Sequence, residues 1–228
     1  MLCGQASRSN GTPSFLITAM WQRRPRKSSP ALSTILGTTA ALALHKYRYK
    51  WQGFLNGLIY LPILIPEIVM GLSLLVLFSQ IHLSLGRTSI ILAHITFCLS
   101  FVVITVGARL DGLKQEYEEA AGDLYARPWQ CFRYITLPLI MPGITAGALI
   151  AFTLSIDDFI ISFFAAGPNS TTLPLYIYAM VKRGISPEIN ALSTLMIAAE
   201  IALVLLADFF QIRQAGTGRK KELPDDRQ

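Results

Sequence analysis

Acidic residues are scarce in this chain, and none occurs before Glu67. Charged residues of both signs make up only 15% of the 228 residues, whereas a soluble domain carries about a quarter. Hydrophobic residues account for 52% and gather into long runs. This balance excludes an ordinary soluble domain. It predicts an all-α, polytopic membrane protein that forms one helix bundle.

Cysteine and histidine are also rare and dispersed. Cys3, Cys98 and Cys131 form no disulfide framework and have no metal-ligand spacing, and the histidines are equally scattered. No glycine-rich loop ending in Lys-Ser or Lys-Thr is present, which excludes the common phosphate-binding loop of ATPases. The sequence therefore predicts neither a metal site nor a cofactor held by this chain.

The net charge of +6 invites a nucleic-acid partner. However, Lys and Arg lie in short loops and tails rather than on a surface interleaved with aromatic residues. Membrane topology accounts for them better, because positive loops favour the cytoplasmic side. Outside the head at 1–30, they concentrate in the loop at 45–50, the loop at 112–134 and the tail at 213–228. These three segments are predicted to be cytoplasmic, and no nucleic-acid partner is expected.

Five apolar runs are predicted to be membrane helices: 31–44, 56–77, 89–106, 135–156 and 191–210. The first run is short of the roughly 20 residues that span a bilayer. Pro62 and Pro66 predict that the second is kinked and packed against neighbours. In the fourth, Gly143, Gly147 and Ala151 form a small-residue stripe suited to close helix packing. A shorter helix at the membrane interface is predicted over 173–181.

The head at 1–30 differs from the rest of the chain. It is basic, rich in Ser and Arg, and free of Asp and Glu. The helix bundle is therefore expected to occupy 31–212. With five crossings, the basic head falls on the outer side, against the usual charge rule. One further crossing before 31–44 would remove this conflict. We therefore expect that a first helix and the loop after it are missing, through a frameshift or a misassigned start.

A polar interruption, 112–138, separates two long apolar runs. Part of it has helical spacing, with one narrow apolar face and charged residues elsewhere. The apolar face consists of Leu113, Tyr117, Ala120, Ala121 and Leu124. Pro128 either ends this helix or opens a second one at its first turn. Periodicity alone leaves open whether the helix is a solvated connector or a docking element.

Glu119-Ala120-Ala121 is followed, sixteen positions after the Glu, by the Ile-x-Leu-Pro of Ile135 to Pro138. This pattern resembles the cytoplasmic signature loop of bacterial ABC importer permeases. The family glycine, six positions after the Glu, is Tyr125 here. The resemblance implies a short helix that docks on an ATPase subunit. The coupling residues it implies are Glu119, Ala120, Ala121, Gly122, Leu124, Ile135, Leu137 and Pro138.

Three carboxylates in or beside apolar runs are candidates for a transport path: Glu67, Asp157 and Asp158. An ionised carboxylate at the bilayer centre costs at least about 2.5 kcal/mol, so such groups usually face a bundle interior or a water-filled path. Adjacent helical residues point in different directions, so at most one of the two aspartates need face it. Carboxylates favour a cation. Tyr176 and Tyr178 are either cation–π partners or interface anchors.

Further stretches resemble permeases of spermidine/putrescine importers. They include Glu67 to Met70, Ser73 to Phe78, and Phe152 to Ser155 with the two aspartates. The resemblance implies a multi-pass permease of the bacterial inner membrane, surrounded by lipid. Its implied partners are a second permease, an ATPase dimer that binds the ATP, and a periplasmic polyamine-binding protein.

Other interpretations remain open at this point. The chain is alternatively a truncated permease that no longer transports, or a permease for another small solute. A remote alternative is an intramembrane aspartyl protease, whose chemistry needs two carboxylates converging from different helices.

Overall fold

The structure, a computed structural model, describes residues 28–47, 50–113, 116–168, 170–182, 184 and 187–219. Within these ranges every regular element is a helix, as the all-α prediction requires. Residues 1–27 of the predicted head and 220–228 of the predicted tail lie outside the described residues.

The helices follow one another with short connections. We number them α1 Ser28–Lys46, α2 Gln52–Leu64, α3 Glu67–Gln80, α4 Arg87–Asp111, α5 Glu116–Asp123, α6 Pro128–Cys131, α7 Leu137–Asp157, α8 Ile160–Ala165, α9 Leu173–Val181 and α10 Pro187–Arg219. A π-helical turn, Phe132–Thr136, joins α6 to α7 without a break. The helix predicted over 173–181 is confirmed as α9, while its location at the membrane interface stays a prediction. Helix α10 continues through 213–219, which the sequence assigned to the tail.

Two of the described helices are long and apolar enough to cross a membrane: α4, and the continuous run Pro128–Asp157. The bent pair α2 and α3 makes a third if it counts as one span. Helix α10 contains a shorter apolar stretch, Ile189–Leu205. By length and composition, the described residues therefore support two or three of the five predicted spans.

The kinked helix predicted over 56–77 is interrupted completely at Pro66, although its two parts together are long and apolar enough for one span. The chain forms two helices that meet at 113°. Ile65 is extended, with ψ 134°, and so is Pro66, with ψ 135°. A residue before proline is disfavoured in the helical region, and Pro66 has no N–H to continue the hydrogen-bond ladder. Pro62, by contrast, stays inside α2.

Helix α4 is the centre of the bundle, and α1 and α7 both pack along it. A Cβ on Gly37 of α1 would lie 2.7 Å from Val102 Cβ, and one on Gly147 of α7 would lie 3.4 Å from Val102 Cγ1. Gly143, Gly147 and Ala151 are all buried. The small-residue stripe predicted from the sequence is therefore confirmed as the α7 surface that packs against α4.

Beyond α7 the chain breaks, and α8 packs beside α3. Gly71 of α3 lies against the ring of Phe164, where an added Cβ would be 2.7 Å from Cδ2. Ser89 Oγ, at the start of α4, donates a hydrogen bond of 2.8 Å to the carbonyl of Ala165. These contacts fix α8 beside α3 and against the start of α4.

Candidate coupling helix and acidic cleft

Helix α5 carries the signature residues on a surface that the rest of the described chain leaves open. Ala121 is its one clearly buried apolar residue, at 5% exposure. Glu119, Ala120 and Gly122 are exposed, and Leu124 is 82% exposed. The predicted apolar face is thus only partly used within this chain. The remaining apolar surface beside Glu119 is available to a partner.

The turn after α5 is a Schellman motif. The Ala126 N–H donates to the Ala121 carbonyl at 3.0 Å, and the Tyr125 N–H donates to the Gly122 carbonyl at 2.9 Å. Tyr125 has a positive φ of 59°. Tyr125 stands where the family has glycine. This is the residue of the turn that adopts a left-handed backbone, a conformation that glycine adopts most easily.

We expect Tyr125→Gly to stabilise the turn by about 1 kcal/mol, because glycine adopts a positive φ without the Cβ clash. Thermal melting of the purified protein in detergent measures the change. The matched control is Tyr125→Ala, which removes the ring but keeps Cβ, and should bring no such gain. Equal melting temperatures for the two variants would contradict the prediction.

The second half of the signature, Ile135 to Pro138, lies where the π-helical turn meets α7. Leu137 N–H donates to the carbonyl of Phe132, five residues back. Pro138 has no N–H, so it cannot close the next α-helical bond, and the wider turn shifts the register ahead of it. Ile135 and Leu137 are half-buried and Pro138 is exposed. Pro128 opens α6 at its first turn, which settles the alternative left open by the sequence.

The predicted path carboxylates converge. Glu67, Asp157 and Asp158 line one cleft of about 270 Å³ at the two helix breaks. The other lining residues are Phe97, Leu154, Phe159 and Ile160. Glu67 and Asp157 are exposed. The C-terminal end of α7 opens here, and its carbonyls carry partial negative charge. The cleft therefore has a negative electrostatic character.

Asp158 is buried, at 9% exposure, unlike its neighbour Asp157. Its Oδ1 accepts a hydrogen bond of 3.1 Å from the Ile161 N–H, and its Oδ2 accepts one of 2.8 Å from the Ser162 N–H. The adjacent aspartates therefore have different environments, as adjacent residues at the end of a helix should.

Sequence reasoning missed the part that His94 takes in this site. His94, on α4, is 1% exposed. Its Nε2 lies 3.1 Å from Ser162 Oγ and 3.5 Å from Asp158 Oδ2. The sequence does indicate the hydrogen bonds of Asp158 to α8, because an Asp just before an apolar run is typical of a helix N-cap. Nothing in the sequence indicates that His94 reaches it.

The two candidate tyrosines differ in position. The ring of Tyr178 lies 4.8 Å from the ring of Phe159, which lines the cleft. Lys182 Nζ lies 4.9 Å from the centre of the Tyr178 ring. Tyr176 is 45% exposed and is not among the residues that line the cleft. Tyr178 therefore contacts a residue that lines the cleft, whereas neither tyrosine lines the cleft itself.

A bundle of apolar helices with an exposed signature helix and broken helices around an acidic cleft is typical of transport permeases. The sequence profile of the family described as "Binding-protein-dependent transport system inner membrane component" matches residues 33–214, and the chain belongs to this family. Membership makes the chain a permease component of the inner membrane rather than an enzyme. The intramembrane protease alternative is therefore wrong.

Relatives and solved structures agree with this family. The chain is 45% identical over 177 residues to "Spermidine/putrescine transport system permease protein PotC" of Escherichia coli (strain K12), covering 78% of this chain and 67% of that protein. It is 43% identical over 174 residues to "Putrescine transport system permease protein PotI" of the same strain, covering 73% and 62%. The fold is similar to a chain of the inward-facing MetNI methionine ABC transporter, with a TM-score of 0.65 and 17% identity, covering 86% of this chain and 98% of that one.

Proposed function

We propose that this chain forms part of the path by which a polyamine crosses the bacterial inner membrane, as a permease subunit of an ABC importer. The observation that carries the proposal is the acidic cleft at the two helix breaks. Membrane transporters commonly bind substrate where helices are interrupted at membrane depth. The similarity to a spermidine/putrescine permease and a putrescine permease supports the same substrate class.

The composition of the cleft matches a cationic substrate. Among the described residues, three carboxylates line it and neither Lys nor Arg does. Phe97 and Phe159 contribute aromatic surface, and an aromatic face attracts an ammonium group. A polyamine offers both ammonium groups and methylene segments, which these acidic and aromatic groups would accommodate.

Tyr178 extends the aromatic surface away from the cleft through its contact with Phe159. Its ring already has the Lys182 ammonium group near its face. A substrate ammonium group could use this ring face only in place of Lys182, so a cation–π role for Tyr178 requires that the lysine side chain be displaced. Tyr176, the other candidate, has less support, because both tyrosines lie outside the cleft lining and only Tyr178 has the ring contact with Phe159.

The ATPase is the partner that α5 would meet. Glu119 and Ala120 are exposed, and Leu124 adds apolar surface beside them. The proposal places the loop at 112–134 and the tail at 213–228 in the cytoplasm, where an ATPase dimer binds and hydrolyses the ATP. A second permease subunit would complete the path, a periplasmic polyamine-binding protein would deliver substrate, and lipid would cover outward apolar side chains such as Ile68 and Leu72.

Uptake of labelled spermidine and putrescine tests the proposal. The full chain is expressed with the other subunits of its transporter in cells that lack their own polyamine permeases. We expect Asp157→Asn and Glu67→Gln each to raise the KM for uptake about tenfold, because each removes one charged contact to an ammonium group. Copurification of the ATPase should not change.

Asp111→Asn is the matched control for these variants. It makes the same chemical change on an exposed carboxylate at the end of α4, where Asp111 contacts His45 rather than the cleft. If neither cleft variant changes the KM for uptake, the cleft does not contact the substrate during transport. Saturable uptake of a different solute, with no polyamine uptake, would replace the substrate class.

A further inference from the structure

The two adjacent aspartates of the cleft differ in exposure and in hydrogen bonding. Asp157 is exposed to the cleft. The Asp158 side chain is 3% exposed, and its two oxygens accept the Ile161 and Ser162 N–H groups. A buried carboxylate is stable only where hydrogen bonds or charges compensate for lost water. Asp158 has that compensation from α8, so its oxygens are already committed within the protein.

His94 connects this arrangement to the central helix. Its side chain is 2% exposed, and its Nε2 lies within 3.5 Å of Asp158 Oδ2 and 3.1 Å of Ser162 Oγ. His94 belongs to α4. Asp158 lies at the break between α7 and α8, and Ser162 lies within α8. The three polar groups therefore join the break to the most buried helix of the bundle. The contact spans 68 positions of sequence between His94 and Ser162.

We propose that Asp158, His94 and Ser162 form a positioning cluster that holds the α7–α8 break in place, so that Asp157 alone of the aspartate pair meets the substrate. The substrate role of Asp157 rests on the proposed function. The different roles of the two aspartates follow from the geometry of Asp158. An aspartate that accepts two backbone N–H groups cannot turn toward a substrate without leaving those donors buried and unpaired.

Serine substitution at both positions separates the two roles. A serine hydroxyl can accept a backbone N–H at a helix start, but it carries no charge. At position 158 we therefore expect Asp158→Ala to lower the melting temperature of the purified protein by about 5 °C. Asp158→Ser should recover most of that loss, and its KM for polyamine uptake should stay within about twofold of the original.

At position 157 the same pair of substitutions should behave differently. Asp157→Ala and Asp157→Ser should both raise KM about tenfold, because both remove the charge. Neither should change the melting temperature. A Ser variant at 158 that raises KM as far as Asp157→Ser, at an unchanged melting temperature, would overturn the division of roles.

A double-mutant cycle tests the His94 contact. His94→Ala and Asp158→Ala should each lower the melting temperature, and the double variant should lose clearly less than the sum, since the two residues act through one cluster. Strictly additive losses would exclude the cluster. If the unaltered chain takes up no polyamine, the proposed function fails, whereas the melting temperatures still decide whether Asp158 and His94 position the break.

Discussion

Reversal of one charge on α5 should nearly abolish transport: we expect Glu119→Lys to lower uptake about a hundredfold and to release the ATPase. Glu119 is exposed, whereas Ala121 of the same helix is buried, and the helix packs against α6 and the π-helical turn. The substitution therefore leaves the fold of this chain intact while it places a positive group against the partner. Uptake and copurification of the ATPase measure the two consequences separately.

Glu116→Lys is the control for this prediction. Glu116 is also exposed and lies one turn earlier on α5, so the change in charge is the same but falls outside the Glu-Ala-Ala signature. It should reduce uptake far less. Equal losses for both variants would mean that the total charge of the helix, rather than Glu119, sets the interaction. Normal uptake with Glu119→Lys would exclude α5 as the coupling element.

The largest effect on stability is expected from Gly167→Ala. A Cβ at Gly167 would overlap the backbone carbonyl group of Leu85, so one of the two backbone segments would have to shift. Ser170 Oγ holds the turn in place, because it accepts the Gly167 N–H at 2.7 Å. We expect the variant to lose about 3 kcal/mol or more of stability. The amount of folded protein in the membrane and its melting temperature measure the loss.

Gly57→Ala provides the comparison. Nothing lies within 4 Å of a Cβ built at Gly57, which is inside α2. Alanine there should be neutral or stabilise the helix by up to about 1 kcal/mol, because glycine is the poorer helix former. If Gly167→Ala melts at the same temperature as Gly57→Ala, the turns around Leu85 and Gly167 are not packed as the structure shows.

Much of the fold is readable from local patterns. Apolar runs predict α4, α7 and α9, and in α9 the bounds agree residue for residue with Leu173–Val181. The stripe of Gly143, Gly147 and Ala151 predicts the surface that packs against α4. These features depend on residues a few positions apart, and helix formation and helix faces are decided at that range.

The bend at Pro66 shows where local patterns stop being sufficient. Proline predicts a disturbed helix, but the same residue can cause either a kink or a complete break, so the sequence does not distinguish the two. The 113° bend leaves Glu67 at the start of α3 rather than in the middle of a span. Pro62, only four positions earlier, remains inside a helix. Packing of α3 against α8 distinguishes the two outcomes, and that contact lies far away in sequence.

By itself, the sequence determined the membrane-protein class, the signature loop and the acidic residues that a cationic substrate would need. The tertiary structure alone decided which of these residues meet. It brought Glu67 and Asp157 into one cleft and tied Asp158 to α8 and to His94 of α4. The physical reason is that composition and periodicity act between neighbours, whereas a cleft or a buried hydrogen bond depends on segments that only packing brings together.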